Sequence, residues 1–313
     1  MFLSSVFAVI ILPATVLFLF GFGNEEFVTD DIGISVLLNG RIQKFNLEDY
    51  LFGVVAAEMP AAFHEEALKA QAVAARTYII NKKIAGNSDH SDADVCTDSI
   101  HCKAYLTENE IVSKYGEGWM TDYSAKIKKA IRDTAGEIAV YEEQPIEAVF
   151  HSTGSGITEN AKDVWGGEVP YLVSVESPGD AESPVYLSDV PVSFKEIKEK
   201  VFDKTNKDIS VYAGEITRNE SGSVKSIDIG GVQFGGVEVR EMFSLPSANF
   251  EVSLSGENLV FHCKGKGHGV GMSQYGAQYF AKQGMNYKDI LKTYYKGIEI
   301  GEINDKDFKS KSK

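Results

Sequence analysis

The chain is short of positive charge. Lys and Arg number 31 against 45 Asp and Glu, a formal net charge of -14 over 313 residues. A nucleic-acid partner asks for a basic face, so this balance argues against one. It leaves room for a glycan, whose sugars are largely uncharged. Charge of either sign is missing from Phe2 to Asn24, and Val6 to Gly23 is almost wholly apolar. Such a run is about long enough to cross a bilayer core as a helix, and Pro13 inside it is tolerable there. No Lys or Arg precedes it and no small-x-small cleavage site follows. The sequence therefore predicts an uncleaved anchor over 1–24 rather than a removed signal peptide. The glycine-rich run GKGHGVG (265–271) has neither the Lys-Ser/Thr ending of a phosphate loop nor the spacing of a dinucleotide fingerprint. Of three cysteines, Cys263 stands far from the others and reads as a lone buried thiol.

What is present centres on Asn46–Tyr78. Asn46 is an N-cap candidate, with Leu51, Val54 and Val55 at helical spacing behind it. Pro60 disfavours helix at Met59, so this helix should end near Glu58. A second should start near Glu65 and run through Leu68, Ala72, Ala75 and Ile79. Glu58 then sits at the negative end of a helix dipole among apolar neighbours, and both effects favour the neutral carboxyl that a general acid needs. Before it, an acidic linker (25–32) leads to two strands joined by Asn39-Gly40, a strong hairpin signal.

Beyond it, a helix is expected over Ser124–Thr134, then a strand, a turn near Glu143–Pro145 and a second strand. The Ser/Thr/Gly-rich loop 151–167, with Trp165, has the polar groups and aromatic platform of a sugar cleft. A helix is expected near Phe194–Val201, followed by short β segments with Gly-rich turns. Ser273 should cap a helix to Lys282, and a last helix should span 286–296. The fold class read from this pattern is α+β: helices and antiparallel β segments forming a cleft in a domain over 33–300, behind one transmembrane helix. The core takes 33–175 and 261–300, a β-rich lobe about 176–260, and 301–313 is a polar tail. His90, Cys96, His101 and Cys102 lie close together in a loop-like stretch. Two thiolates and two imidazoles suit tetrahedral Zn²⁺. A Cys96–Cys102 disulfide, or a weak cation site from Asp92, Asp94 and Asp98, would use the same stretch.

Three segments resemble the stage II sporulation protein D family of lytic transglycosylases. They are GVVAAEMPAAFHEEALKAQAVAARTY (53–78), FHSTGSGITENAKDVWGGEVPYL (150–172) and GKGHGVGMSQYGAQYFA (265–281). The resemblance implies that Glu58 is the catalytic acid. It implies that Arg76, Ser152, Thr153, Tyr171, His268, Gln274 and Tyr275 bind substrate, with Arg76 orienting Glu58 or holding a sugar oxygen. Where the family commonly has a basic residue shortly after the tyrosine, this chain has Leu172 and Val173. A structural zinc beside the cleft is implied for His90, Cys96, His101 and Cys102. A cell-membrane location with the catalytic part outside the cytoplasm is implied as well. The implied substrate is peptide-stripped peptidoglycan glycan, thinned at the septum during engulfment, and the implied partners are stage II sporulation proteins P and M. Rival readings are a zinc-dependent peptidoglycan amidase or peptidase and a non-enzymatic wall-binding scaffold.

Overall fold

The computed structural model describes residues 32–303, apart from 87–89, 91, 99 and 100. The expected anchor, most of the linker and the end of the polar tail lie outside these residues. No helix among the described residues is long and apolar enough to cross a membrane.

In the first half, β1 (Gly33–Leu38) and β2 (Arg41–Asn46) lead into α1 (Leu47–Glu58) and α2 (Glu65–Ala85). Then come β3 (Val95–Cys96), α3 (Glu108–Tyr115), α4 (Glu117–Arg132), β4 (Glu137–Tyr141), β5 (Gln144–Pro145), β6 (Phe150–His151) and α5 (Ala161–Trp165). In the second half, β7 (Leu187–Ser193) and α6 (Phe194–Thr205) precede β8 (Ala213–Arg218), β9 (Val224–Ile229) and β10 (Val232–Gly235). They are followed by α7 (Gly236–Met242), β11 (Phe250–Ser255), β12 (Asn258–Lys264), β13 (Met272–Ser273), α8 (Gln274–Lys282), α9 (Tyr287–Tyr294) and β14 (Glu299–Glu302). The class is mixed α and β. Most pairings are antiparallel, while β1–β3 and β6–β13 are parallel.

Local chemistry explains the boundaries. Asn39 and Gly40 take positive φ (50° and 73°), the geometry of a tight hairpin turn between β1 and β2. Asn46 Oδ1 accepts from the Glu48 and Asp49 amides at the start of α1. Met59 is extended (ψ 137°) ahead of Pro60, which ends α1 at Glu58. The Ser124–Thr134 helix proves to be the end of a longer one, α4, and α3 before it was not anticipated. Gly116 separates the two at φ 86°, a conformation that a side chain would resist.

The β-rich part has its own core, including Val192, Ile197, Ile227, Phe250, Phe261 and Cys263. The 3-10 turn Pro178–Glu182 packs on α8, where a Cβ on Gly179 would lie 2.1 Å from Tyr279 Cβ. Strand β12 also carries the lobe on to Lys264, because its alternating residues Leu259, Phe261 and Cys263 are buried there.

One buried ion pair ties the helical half together. Arg76, on α2, is 0% exposed. Its Nε and Nη2 donate to the two Glu48 carboxylate oxygens at 2.7 and 2.6 Å. The remaining donors reach the carbonyls of Glu137 (3.1 Å) and Ile131 (3.3 Å). One guanidinium thus joins α1, α2, the end of α4 and β4. Removing one partner of such a pair leaves a buried charge uncompensated, at a cost of about 3–5 kcal/mol. Glu48→Ala should lower the unfolding free energy in urea by about that amount, and Glu48→Leu with Arg76→Met should recover much of it. A loss from Glu48→Ala within about 0.5 kcal/mol, as at an ordinary surface site, would contradict this role.

Candidate active site

Glu58 is the last residue of α1, and its placement depends on the segment 102–106 lying along that helix. The Leu106 amide donates to Gly53 O at 3.2 Å, and Tyr105 stacks on Tyr50 at 4.7 Å with planes 11° apart. A Cβ on Gly53 would sit 2.2 Å from the Tyr105 ring, so only glycine admits this approach. The result brings the Ala104 N–H to Glu58 Oε1 at 2.8 Å. Lys103, next in line, places its Nζ 4.0 Å from the Phe150 ring centroid and 4.5 Å from that of Tyr78.

Burial raises the Glu58 pKa above the usual carboxyl value; the Lys103 charge and the Ala104 hydrogen bond pull it partly back. Burial likewise pushes the Lys103 ammonium down to about 8, opposed by the Glu58 and Glu147 charges. The carboxyl is therefore biased towards its neutral form, yet it keeps two groups able to stabilise the anion once its proton leaves.

A cavity of about 330 Å³ opens beside it. Its lining is Ala56–Ala62 together with Tyr115, Trp119 and Tyr123 from α3 and α4. That size lies at the lower end of small-ligand clefts, about 300–1,000 Å³. Among the described residues, Glu58 is the one carboxyl on its wall. The buried acids are engaged elsewhere, Glu48 with Arg76 as described above. Glu159 accepts hydrogen bonds from Ser221 (2.5 Å) and Ser223 (2.9 Å) and lines a separate recess of about 20 Å³. Asp180 accepts from the Ser273 hydroxyl and from the Gly156 amide.

The other sequence-derived candidates divide. Arg76 is not a cleft residue: it is fully buried and bound to Glu48, so neither of the roles foreseen for it at Glu58 or a sugar oxygen fits its position. His268 has no nitrogen to offer a ligand. Its Nε2 lies 3.1 Å from Phe150 O and must carry the proton, while Nδ1 accepts from the Val270 amide at 3.1 Å. Burial first, then the His151, Lys103 and Arg240 charges, hold its pKa well below the ordinary imidazole value. Thr153 is buried and donates to Ser183 Oγ (2.9 Å), and Ser152 O accepts from the Tyr275 amide (3.2 Å). Gln274 is buried and donates to Gln71 Oε1 (3.3 Å), tying α8 to α2. None of these three lines the cavity beside Glu58. Tyr171 Oη accepts from the Glu147 amide at 3.1 Å, which leaves its own proton to donate. Tyr275 packs edge-on against Phe63 at 5.0 Å, just past the cavity-lining Ala61 and Ala62. Lys103, Ala104 and the three aromatic side chains were missed by the sequence reading. The one signal for the aromatics was their four-residue spacing on a helical pattern.

Of the metal candidates, His90, Cys96 and Cys102 converge, their ligand atoms all within 4.8 Å of one another. The fourth, His101, is exposed and not part of that group, although its ring lies 5.7 Å from the His90 ring. Cys96 and Cys102 form no disulfide. The donor set fits a soft divalent ion: two thiols and an imidazole whose buried Nε2 has no hydrogen-bond partner among the described residues. Asp94 is already engaged by Ser35 and Lys83, which weakens the aspartate alternative.

Fold and site together define a mixed α+β protein built around a one-acid, aromatic-walled cleft. Comparison with known proteins is narrower. The family model SpoIID, stage II sporulation protein, matches residues 39–141. The chain is 40% identical over 271 residues to stage II sporulation protein D of Bacillus amyloliquefaciens, covering 85% of this chain and 77% of that protein. It is 40% identical over 289 residues to the protein of the same name in Bacillus subtilis strain 168, covering 90% and 82%. The chain belongs to the stage II sporulation protein D family, a family of sporulation proteins.

Proposed function

We propose that the protein is a membrane-anchored lytic transglycosylase acting on peptide-stripped peptidoglycan. The observation that carries this reading is Glu58: a half-buried carboxyl whose pKa desolvation raises, and among the described residues the one acid on the wall of its cavity. Glycosidases that use water or a covalent intermediate set two carboxylates across the scissile bond. A lytic transglycosylase needs one. Glu58 gives its proton to the oxygen linking N-acetylmuramic acid to N-acetylglucosamine, and that C–O bond breaks. The muramic C6 hydroxyl attacks the same anomeric carbon, and its proton passes to the Glu58 carboxylate. The product is a 1,6-anhydro end, and Glu58 returns to its starting state. Lys103 and the Ala104 N–H stabilise the carboxylate between the two transfers.

The setting is the outer face of the cell membrane at the sporulation septum. There the protein thins glycan already stripped by stage II sporulation protein P, in association with stage II sporulation protein M. Mass spectrometry of products from purified, peptide-free glycan strands tests the reaction. Wild type should release anhydromuramic ends, and Glu58→Gln should slow this by roughly 10²–10⁴-fold. Reducing ends, or an undiminished rate in Glu58→Gln, would overturn the mechanism.

His90, Cys96 and Cys102 hold Zn²⁺ in this reading, with His101 the nearest further ligand. The ion is structural: it crosslinks the loop that leads straight into Lys103 and Ala104. The purified full chain should carry about one equivalent of zinc. Chelation, or Cys96→Ser, should remove the zinc and lower the melting temperature. A metal-free protein with an unchanged melting temperature would rule the crosslink out.

A further inference from the structure

The cavity wall opposite the Glu58 helix is an aromatic row that the proposed chemistry does not use. Tyr115, Trp119 and Tyr123 recur every fourth residue across the α3–α4 junction. Their ring centroids are 5.7 Å apart (Tyr115–Trp119, planes 18° from parallel) and 5.9 Å apart (Trp119–Tyr123). Tyr115 is 42% exposed, and the other two are half-buried. Among the described residues, no hydrogen bond involves the two hydroxyls or the indole N–H. Yet the row is held firmly in place. Lys126, one turn beyond Tyr123, donates to the carbonyls of Ala61 (3.2 Å) and Phe63, fixing α4 to the loop that follows Glu58.

Aromatic side chains that served only the core would be covered. These three line the same cavity as Glu58 and keep part of their surface exposed, with polar tips that take no hydrogen bond among the described residues. Their spacing is close to the advance of one sugar along an extended β-1,4 chain. The apolar face of a pyranose packs on an aromatic ring, while its hydroxyls take up hydroxyl and N–H partners nearby. We infer that Tyr115, Trp119 and Tyr123 form a ladder that binds successive sugars of a β-1,4-linked glycan and lays the strand across Glu58. This inference rests on the transglycosylase reading for its substrate class, but binding can be measured without turnover.

The chain has two tryptophans. In the full-length Trp165→Phe/Glu58→Gln protein, Trp119 is therefore the sole indole reporter, and the probe is N-acetylglucosamine hexasaccharide. A saturable change in Trp119 emission is expected, and adding Tyr115→Ala or Tyr123→Ala should weaken the apparent Kd roughly two- to tenfold each. Emission unmoved by saturating hexasaccharide would overturn the ladder, as would affinities untouched by both tyrosine substitutions. Both tyrosines keep solvent exposure, so their replacement leaves the core intact, and the tryptophan response needs neither variant. The two readings fail separately. Anhydro ends from wild type with a silent Trp119 would sink the ladder alone. A responsive Trp119 with no anhydro ends from wild type would sink the chemistry and leave the ladder standing.

Discussion

The buried pair between Arg76 and Glu48 is the constraint on which the helical half of the molecule, with its candidate site, depends. Glu48 lies in the first turn of α1 and Glu58 at its last residue, roughly 15 Å further along the axis at 1.5 Å per residue. Fixing the first turn against α2, α4 and β4 fixes the direction in which the far end points. The Gly136 amide adds a further donor to Glu48 at 3.3 Å. An arginine buried to this degree is tolerable because its donors go to a carboxylate and to backbone carbonyls, all within one closed network.

At the other end of α1 the physics is deliberately unbalanced. Glu58 accepts one backbone hydrogen bond, where Glu48 receives a full bidentate pair. Burial therefore dominates and raises its pKa, while Lys103 limits how far. The same short segment carries Cys102, Lys103 and Ala104, so the cluster of His90, Cys96 and Cys102 and the partners of Glu58 cannot move independently. Opposite them, Lys126 holds the aromatic row at a fixed distance from the loop after Glu58.

Much of this was legible in local sequence because local rules decide it. Asn46 and Ser273 cap the helices they were expected to cap. Pro60 stops α1 where its steric clash requires, and Asn39-Gly40 makes the hairpin. What sequence could not show were partners far apart in the chain. Arg76 matched a family motif, but the residue that neutralises it lies 28 positions earlier, so its burial was invisible. His268 looked available until Phe150 O and the Val270 amide were seen to take both nitrogens. Lys103 and Ala104 meet Glu58 only because Gly53 lets a loop lie on the helix. Helix α3 was lost because Gly116 breaks the period between it and α4, and the aromatic row crosses that break.

The central claim is that desolvation outweighs Lys103 and Ala104 and holds the Glu58 carboxyl above the titration range of an exposed glutamate. A ¹³C NMR titration of the glutamate side-chain carboxyls in the full chain, with Glu58 assigned by its loss in Glu58→Gln, reads this directly. The account requires a midpoint clearly above the ordinary glutamate value of about 4.3. A midpoint at or below that value would mean that Lys103 and Ala104 outweigh burial, and would contradict the account.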